Sequence, residues 1–562
     1  MSEENRKIVI VVGAGASADF NPKHFSFPVG EALIKMICNK EEVASFFWNE
    51  ICESFRNVVS KKIDQAMINF HDIFCDFLID RDVAKDIKEF KELNFSQITV
   101  NFSLYLGKNF NKFKNTITFC YYDGSNVHRG NVEANLYQLY KDINANEEDC
   151  FEEEKNDKKE CKFYKIIIAN CNSRHIQISH LVNYYQPFSI DELLDSIKTD
   201  KIDILEPLNL DSSELKNILK DSENKSDEEL RNQFKNELIN AGKTLIALFL
   251  LRSEKRDLFD NPNPQNDAKI WYRHIRNLII NSGKNDNEIV KKIENITIIS
   301  FNYDRSLDYY LRTKLKKDYY DEIKKKIFYP YGKLAVDNWD CDDYGKYNKD
   351  GKFNPYNDNE LREIEELGQG LRVIGELDEE VVIQEELDQE IKNKLKDFQE
   401  LKKVIGLISQ IPTNTKFTRN EIKNSLENQD NKLKKICKYL QEKNEELSNE
   451  NPKKKIIKHH QKDCEFLLKR VGVIYGLVQS DKLYFLGFAF HQANCNLLGL
   501  NQLYKINYQG NIYYTNFDES ESINNAVKEI FIIGKEPWKL TLHDSKRKGV
   551  YDALMHDFKL GF

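Results

Sequence analysis

The sequence lacks apolar segments long enough to cross a lipid bilayer. Stretches such as 244–251 are far shorter than the roughly 20 apolar residues that a spanning helix needs. The first residues, 1–6, are polar and lead into a predicted strand rather than into the apolar part of a secretory signal. We therefore expect a cytoplasmic protein that makes no contact with a membrane.

The sequence also lacks paired cysteines. None of its 11 cysteines forms a Cys-x-x-Cys pair, and the nearest approach to a cluster is Cys150, Cys161 and Cys171. Such pairs build metal sites because two thiolates at that spacing reach one ion. Unpatterned cysteines are instead typical of a reducing compartment. We expect no bound metal.

There is no excess of basic residues either. Lys and Arg number 83 against 91 Asp and Glu, which gives a net charge of −8. Nucleic-acid-binding domains usually carry a basic footprint, so direct binding of nucleic acid is not expected. The local basic cluster at 453–460 is explained more simply as a solvated helix end. The 562 residues, 40% apolar, suffice for a packed core and for up to about four folding units.

A glycine-rich turn follows the first apolar segment. Residues 7–12 are typical of a parallel strand buried on both faces, and residues 30–37 have helical spacing. Gly13 and Gly15 let the backbone turn sharply and approach a ligand. Unpaired N–H groups in such a turn suit a phosphate, although a tight turn with a purely structural role is the alternative. No second strand ends in Asp or Glu about 20 residues later, which weakens a hydride-transfer interpretation.

Asn302 and Asp304 follow a second apolar segment, 296–301. Ligands of open α/β sheets collect at the carboxyl ends of the strands. An Asn side chain offers a donor and an acceptor there, which suits positioning a water molecule or a ribose hydroxyl. The alternative is that Asn302 caps the helix around 307–311 and Asp304 favours its first turn.

A third apolar segment, 483–487, leads into the sequence Gly-Phe-Ala-Phe-His at 487–491. His491 beside a nucleotide could donate to a phosphate or accept a proton near neutral pH. It could equally cap the helix that contains Leu497 and Leu498.

The three motifs, Gly-Ala-Gly-Ala-Ser at 13–17, Phe-Asn-Tyr-Asp at 301–304 and Leu-Gly-Phe-Ala-Phe-His at 486–491, resemble in their order those of the sirtuin-like family. They are most similar to its bacterial branch, whose members destroy NAD in defence against phage. Segments 187–194, 329–334 and 512–516 also match. The resemblance implies an α/β fold, a Rossmann-like three-layer parallel sheet with large, mainly α-helical insertions.

The resemblance also implies site residues. The catalytic residues would be Asn302, Asp304, His491 and Tyr331. The residues that bind NAD would be Gly13, Ala14, Gly15, Ala16, Ser17, Phe27, Pro28, Gly332, Gly487 and Phe488.

One departure concerns the general base. The family places a His directly before the glycine that corresponds to Gly332, and this chain has Tyr331 there. A tyrosine, with a pKa near 10, is a poor base at neutral pH. Either another residue such as His491 replaces it, or no strong base is needed. Cleavage passes through an oxocarbenium-like state, and the departing nicotinamide needs no protonation because its ring nitrogen is already cationic in NAD. Asn302 and Asp304 could then suffice by placing water and stabilising charge.

The expected activity is hydrolysis of NAD, the substrate, to nicotinamide and ADP-ribose by a regulated, NAD-depleting effector of abortive infection. A homo-oligomer, an activating or inhibiting partner protein, or both are expected. The alternatives are an NAD-dependent protein deacylase, disfavoured because the Cys-x-x-Cys zinc ribbon is missing, and a non-catalytic sensor of NAD or ADP-ribose. The predicted sirtuin-like domain comprises 1–44, 291–336 and 463–562, interrupted by a mainly helical insertion at 45–290 and a charged helical insertion at 337–462.

Overall fold

A computed structural model gives the architecture of the chain. It describes residues 6–18, 27–28, 30–39, 42–43, 46–47, 98–104, 115–122, 127–134, 173–208, 210–219, 224–260, 270–334, 343–347, 358–373, 387–410, 419–448, 451–500, 510–516, 521–532, 541–546, 549–558 and 560–561. The sequence also predicts a charged loop at 144–162, a strand at 164–169 and a helix at 42–62. These segments lie outside the described residues, except for 42–43 and 46–47.

The main sheet is parallel throughout. The strands in the described residues are β1 (Ile8–Val12), β2 (Ile98–Leu104), β3 (Asn115–Tyr122), β4 (Val127–Ala134), β5 (Ile296–Ser300), β6 (Ile327–Phe328), β7 (Lys482–Leu486), β8 (Asn511–Asn516) and β9 (Thr541–Lys546). Six of them pair in the order β6-β5-β1-β7-β8-β9. Strands β5 and β6 follow on one side of β1, and β7, β8 and β9 follow on the other side. The direction in which strands are added therefore reverses at β1.

Apolar cores cover both faces of this sheet. Ile8, Ile10 and Val12 of β1 lie in one core, whereas Val9 and Val11 lie in the other. Successive side chains of a strand point to opposite faces, so the uninterrupted apolar run of β1 fits a strand covered on both sides. This confirms the predicted α/β class with a parallel sheet and predicted strands at 7–12, 296–301 and 483–487 to within a residue or two.

Helices make up most of the remaining described structure. They span Ala14–Ala18, Glu31–Cys38, Arg174–Tyr185, Ile190–Lys198, Ser212–Ile218, Asp227–Arg252, Arg256–Asp260, Tyr272–Ile280, Asp286–Ile293, Ser306–Lys314, Lys317–Lys324, Asp358–Gly368, Gln389–Gln410, Arg419–Glu446, Pro452–Gln479, Gln492–Leu498, Glu521–Ile532 and Val550–His556. None of the helices described is long and apolar enough to cross a membrane.

The insertion predicted at 45–290 contains more than helices. Its central helix, Asp227–Arg252, begins with a capping box in which Ser226 and Glu229 satisfy each other's backbone N–H groups, and it is buried along its second half. Strands β2, β3 and β4 form a separate antiparallel sheet that the sequence interpretation did not include. Within this sheet, the sequence predicts only a strand-like segment at 120–122, which is the end of β3.

The charged insertion predicted at 337–462 is helical where it is described. Helices Gln389–Gln410, Arg419–Glu446 and Pro452–Gln479 pack together, and the last of them crosses the predicted boundary at 462. The buried apolar side chains of two of these helices follow alternating three- and four-residue spacing, as in coiled-coil seams. The residues with this spacing are Ile422, Leu426, Leu433, Ile436, Leu440, Ile457, Cys464, Leu467, Val471, Ile474 and Val478; Val473 and Leu477 are also buried but lie outside it.

Candidate functional site

The three motif segments leave the sheet side by side. Val12 pairs with Ser300 on one side and with Leu486 on the other, so the three strands end level. The ladder continues one step further, since the Gly13 N–H donates to the Leu486 carbonyl at 2.8 Å and the Phe301 N–H donates to the Val12 carbonyl at 2.8 Å. Residues 13–17, 301–305 and 487–491 therefore meet at the carboxyl edge, where the winding of the sheet reverses. Ligands of open α/β sheets bind at such a point.

The glycines of the first turn are required by a contact with the third segment. A Cβ on Gly13 would lie 2.3 Å from the Gly487 carbonyl oxygen. A Cβ on Gly487, whose φ is +58°, would lie 2.1 Å from the Ala16 nitrogen. The two turns thus touch backbone to backbone, which only glycine allows. The structural alternative accounts for these glycines without a ligand.

Backbone donors of the same turn are largely engaged within the protein. Besides Gly13, the Gly15 N–H donates to the Gly487 carbonyl at 3.1 Å and the Ala16 N–H donates to the Gly13 carbonyl at 3.0 Å. The expectation of unpaired N–H groups is therefore wrong for these three residues. Ala14 and Gly15 form the exposed surface of the turn and are the parts of it that a ligand can reach.

A buried polar cluster joins the first two segments and consists of Ser17, Asn302 and Asp304. The Ser17 hydroxyl donates to Asp304 Oδ2 at 2.8 Å and accepts a hydrogen bond from Asn302 Nδ2 at 2.6 Å. All three side chains are buried. The cluster confirms that the motifs containing these residues meet in space.

Ser17 has a different role from the one expected. A serine hydroxyl has one proton to donate, and here that proton goes to Asp304. Ser17 therefore cannot donate to a phosphate while the cluster is intact. It fixes the side chains of Asn302 and Asp304 relative to each other.

Asp304 is held by donors on both carboxylate oxygens. Its Oδ1 accepts hydrogen bonds from the Ser306 N–H at 3.0 Å and from the Ser306 hydroxyl, and the Tyr272 hydroxyl lies 2.6 Å from that of Ser306. Burial raises the pKa of Asp304, and the hydrogen bonds from Ser306 and Ser17 oppose this shift. Asp304 thus accepts hydrogen bonds at the start of helix Ser306–Lys314, which agrees with the alternative that it stabilises the first turn of this helix. It also holds the cluster together through Ser17.

Asn302 has an acceptor without a partner. Its Nδ2 is used by Ser17, but its Oδ1 is buried and accepts no hydrogen bond from the described residues. Because the Ser17 proton goes to Asp304, Ser17 must accept from the amide, which fixes which end of Asn302 is the oxygen. The residue is 6% exposed, and buried acceptors are rarely left unpaired. Asn302 does not cap the following helix, and its Oδ1 can still accept a hydrogen bond.

Tyr331 lies beside this group of residues but is not a base. Its hydroxyl donates to Asn494 Oδ1, and burial, followed by the nearby charge of Asp191, raises its pKa far above the ordinary value. Its ring packs edge-on against Phe301 at a centroid distance of 5.5 Å. The next residue, Gly332, has a φ of +72° and lies against the Gly370 carbonyl, so this glycine too has a packing role.

A carboxylate that had no assigned role lies close to Tyr331. Asp191, in the first turn of helix Ile190–Lys198, accepts a hydrogen bond from the Tyr303 hydroxyl. The Tyr303 ring lies 6.4 Å from that of Tyr331. Burial raises the pKa of Asp191 to about 6, although the hydrogen bond from Tyr303 opposes the shift. The sequence motif at 187–194 had been matched, but its chemistry had not been recognised.

The remaining predicted site residues are one exposed histidine and three buried apolar residues. His491 precedes helix Gln492–Leu498, is exposed and makes no side-chain capping bond. Phe488 and Phe27 are 2% and 1% exposed, so their rings contact protein; Phe488 packs on Phe301 at 5.1 Å. Pro28, next to Phe27, is buried as well.

A buried ion pair between Arg305 and Glu254 lies next to the cluster. Arg305, directly after Asp304, donates from Nε to Glu254 Oε1 at 2.8 Å and from Nη2 to Oε2 at 2.6 Å. Glu254 also accepts from the Gly345 N–H at 2.9 Å. On the other side, Trp271 Nε1 donates to the Ala16 carbonyl at 2.8 Å. No sequence pattern pointed to these residues.

Metal ligands are not grouped in the described part of the chain, where no three His, Cys, Asp or Glu side chains are arranged to hold an ion.

The chain was also compared with known proteins by sequence and by structure. No protein-family model, curated protein or solved structure matches it.

Proposed function

We propose that this protein hydrolyses NAD at the edge of the sheet where β1, β5 and β7 end, and releases nicotinamide and ADP-ribose. The observation that carries the proposal is the buried Asn302 Oδ1, which has no donor among the described residues. A ribose hydroxyl or a water molecule of the right position would supply that donor. Asn302 is also the residue to which the family resemblance assigns this contact.

The order of the strands supports a dinucleotide as the ligand. Counted along the chain within the main sheet, the strands lie in the order third, second, first, fourth, fifth, sixth. Rossmann-type sheets that bind dinucleotides have this order, and their ligand lies across the point where the winding reverses. We propose on this basis that the sheet is Rossmann-like and related to that of sirtuins.

The cluster would act by orientation and electrostatics. Asn302 would hold the attacking water or the nicotinamide ribose, and the charge of buried Asp304 would favour the positive charge that develops on the ribose as nicotinamide departs. Ser17 would keep both side chains in place. The exposed residues of the turn, Ala14 and Gly15, would lie against the diphosphate.

We further propose that this activity is regulated and serves to deplete NAD in abortive infection. The resemblance to the bacterial defence branch motivates this step. Helices Gln389–Gln410 and Arg419–Glu446 carry none of the motif residues at the strand ends, and they would provide contacts for an oligomer or a partner protein.

A non-catalytic sensor of NAD or ADP-ribose is the second candidate. It is favoured by Tyr331, which occupies the place of the family's general base, donates its proton to Asn494 and has a strongly raised pKa. A sensor would bind the nucleotide and release no product.

The test is to incubate the purified full chain with NAD at high protein concentration and to measure nicotinamide and ADP-ribose by chromatography, with and without an acetylated peptide. We expect peptide-independent release that Asn302→Ala abolishes. The matched control is Asn183→Ala, which removes an exposed amide on helix Arg174–Tyr185. Equal turnover by Asn302→Ala and the wild type would refute the role of Asn302. Release only with peptide would identify a deacylase, and binding without release a sensor.

A further inference from the structure

The proposed hydrolysis leaves one proton without an acceptor, and the following inference rests on that proposed function. When water adds to the ribose, it must lose a proton, and neither the Asn302 amide nor the Tyr331 phenol can accept it at neutral pH. Asp304 is occupied by hydrogen bonds on both oxygens. An acceptor has to come from elsewhere near the strand ends.

Tyr303 and Asp191 form a pair next to the position of the missing base. Tyr303 directly follows Asn302, and its carbonyl accepts from the Leu334 N–H at 2.9 Å, which ties it to the segment that carries Tyr331. Its hydroxyl donates to Asp191 Oδ1, across 112 residues of sequence. Both residues keep part of their surface exposed, whereas the Asp191 carboxyl group itself is buried.

Burial favours proton uptake by Asp191, whereas the hydrogen bond from its neighbour Tyr303 opposes it. Tyr303 faces Asp191 from the end of β5, Tyr331 from the segment after β6, and Asp195 lies one turn further along its own helix. The thiol of Cys495 is the remaining titratable neighbour of Tyr331. Burial raises the pKa of Asp191 to about 6, so the carboxylate is ionised at pH 7 and yet basic enough to take a proton.

We propose that Tyr303 and Asp191 together are the proton acceptor of the reaction, in place of the His that the family has at position 331. The water oxygen bonds to the anomeric carbon as the bond from that carbon to nicotinamide breaks, and nicotinamide keeps the electron pair. The proton of the water passes to the Tyr303 oxygen while the Tyr303 proton passes to Asp191. Asp191 then releases this proton to solvent, which restores the carboxylate.

Steady-state kinetics of nicotinamide release as a function of pH test this relay in the full chain. The wild type is expected to lose activity as the pH falls through about 6, since protonated Asp191 cannot accept a proton. Asp191→Asn and Tyr303→Phe are each expected to lower kcat by about 100-fold or more, with little change in KM, and to abolish this acidic limb. Asp191→Glu should retain the limb.

Asp195→Asn is the matched control, because it removes the same charge from the same helix one turn away. It should keep both kcat and the acidic limb. Wild-type turnover that Asn302→Ala abolishes, combined with an unchanged rate and pH profile in Asp191→Asn, overturns the relay and leaves the proposed function standing. A wild type without turnover overturns both. An equal loss in Asp195→Asn would show that the charge of the helix matters rather than proton transfer, and would also refute the relay.

Discussion

Replacing Glu254 with Gln removes the carboxylate that neutralises the buried Arg305. The two side chains are 0% and 1% exposed, and they share two hydrogen bonds of 2.8 and 2.6 Å. The introduced amide would present N–H donors to a guanidinium that only donates. Breaking a buried pair in this way leaves an uncompensated charge and costs about 3–5 kcal/mol of unfolding free energy.

The free energy of unfolding from urea titration measures this effect. Asp286→Asn is the matched control, because it breaks the ion pair between Asp286 and Lys316 at the surface. These two side chains are 66% and 64% exposed, and exposed ion pairs contribute little to stability. Hydrogen exchange at the Gly345 N–H, which donates to Glu254, reports on the same site locally and should accelerate in Glu254→Gln.

The double variant Glu254→Leu with Arg305→Met separates charge from packing. Removing both charges with side chains of similar volume should recover much of the lost stability. The penalties that remain include the lost hydrogen bonds from the Gly345 N–H to Glu254 and from Arg305 to the Asp343 carbonyl. If Glu254→Gln unfolds at the same urea concentration as Asp286→Asn, the pair does not stabilise the fold and the reasoning is wrong.

Three further predictions concern the strand ends. Gly13→Ala should destabilise the fold strongly, because its Cβ would lie 2.3 Å from a backbone oxygen of Gly487, whereas Gly472→Ala, with open space around the new Cβ, should be neutral or slightly stabilising in thermal unfolding. Ser17→Ala removes the hydrogen-bond partner of both Asp304 and Asn302, so it should lower the free energy of unfolding by about 1–3 kcal/mol and also slow nicotinamide release. Normal turnover would contradict the role of Ser17. The pKa of Asp191 is raised from 3.8 to about 6, so its stabilising contribution is complete below pH ~4 and is lost as the pH rises through about 6. Asp191→Asn should therefore stabilise the fold at pH 8, by at most about 3 kcal/mol, and not at pH 4; equal melting shifts at both pH values would refute this.

Strands and helices with a clear local hydrophobic pattern could be predicted from the sequence. The strand at 7–12 could be recognised because burial on both faces requires an uninterrupted apolar run. The first half of helix Asp227–Arg252 could be recognised because Leu230, Phe234 and Leu238 recur with helical spacing. The sequence predicts a charged helical insertion at 337–462, but it does not predict that helices Arg419–Glu446 and Pro452–Gln479 form a pair. Gln429 and the buried His460 occupy positions of the apolar seam and hide its repeat in the sequence.

The contacts that build the site could not be predicted in the same way. Ser17 and Asp304 are 287 residues apart, and Tyr303 and Asp191 are 112 apart, so no local spacing reports their distance. A glycine-rich turn is needed both where a ligand contacts the backbone and where another backbone segment does, and the sequence pattern does not distinguish these cases. In this protein the backbone of Gly487 contacts the turn, which follows from the pairing of β1 with β7.

The most direct test of the nucleotide site is an experimental structure of the full chain with ADP-ribose. We expect the ligand to lie across the ends of β1, β5 and β7, with a ribose hydroxyl or a bridging water donating to Asn302 Oδ1, and with Ser17 still bonded to Asp304. A ligand bound elsewhere, or an Asn302 Oδ1 that accepts from a protein group in the free and bound forms alike, would contradict the account.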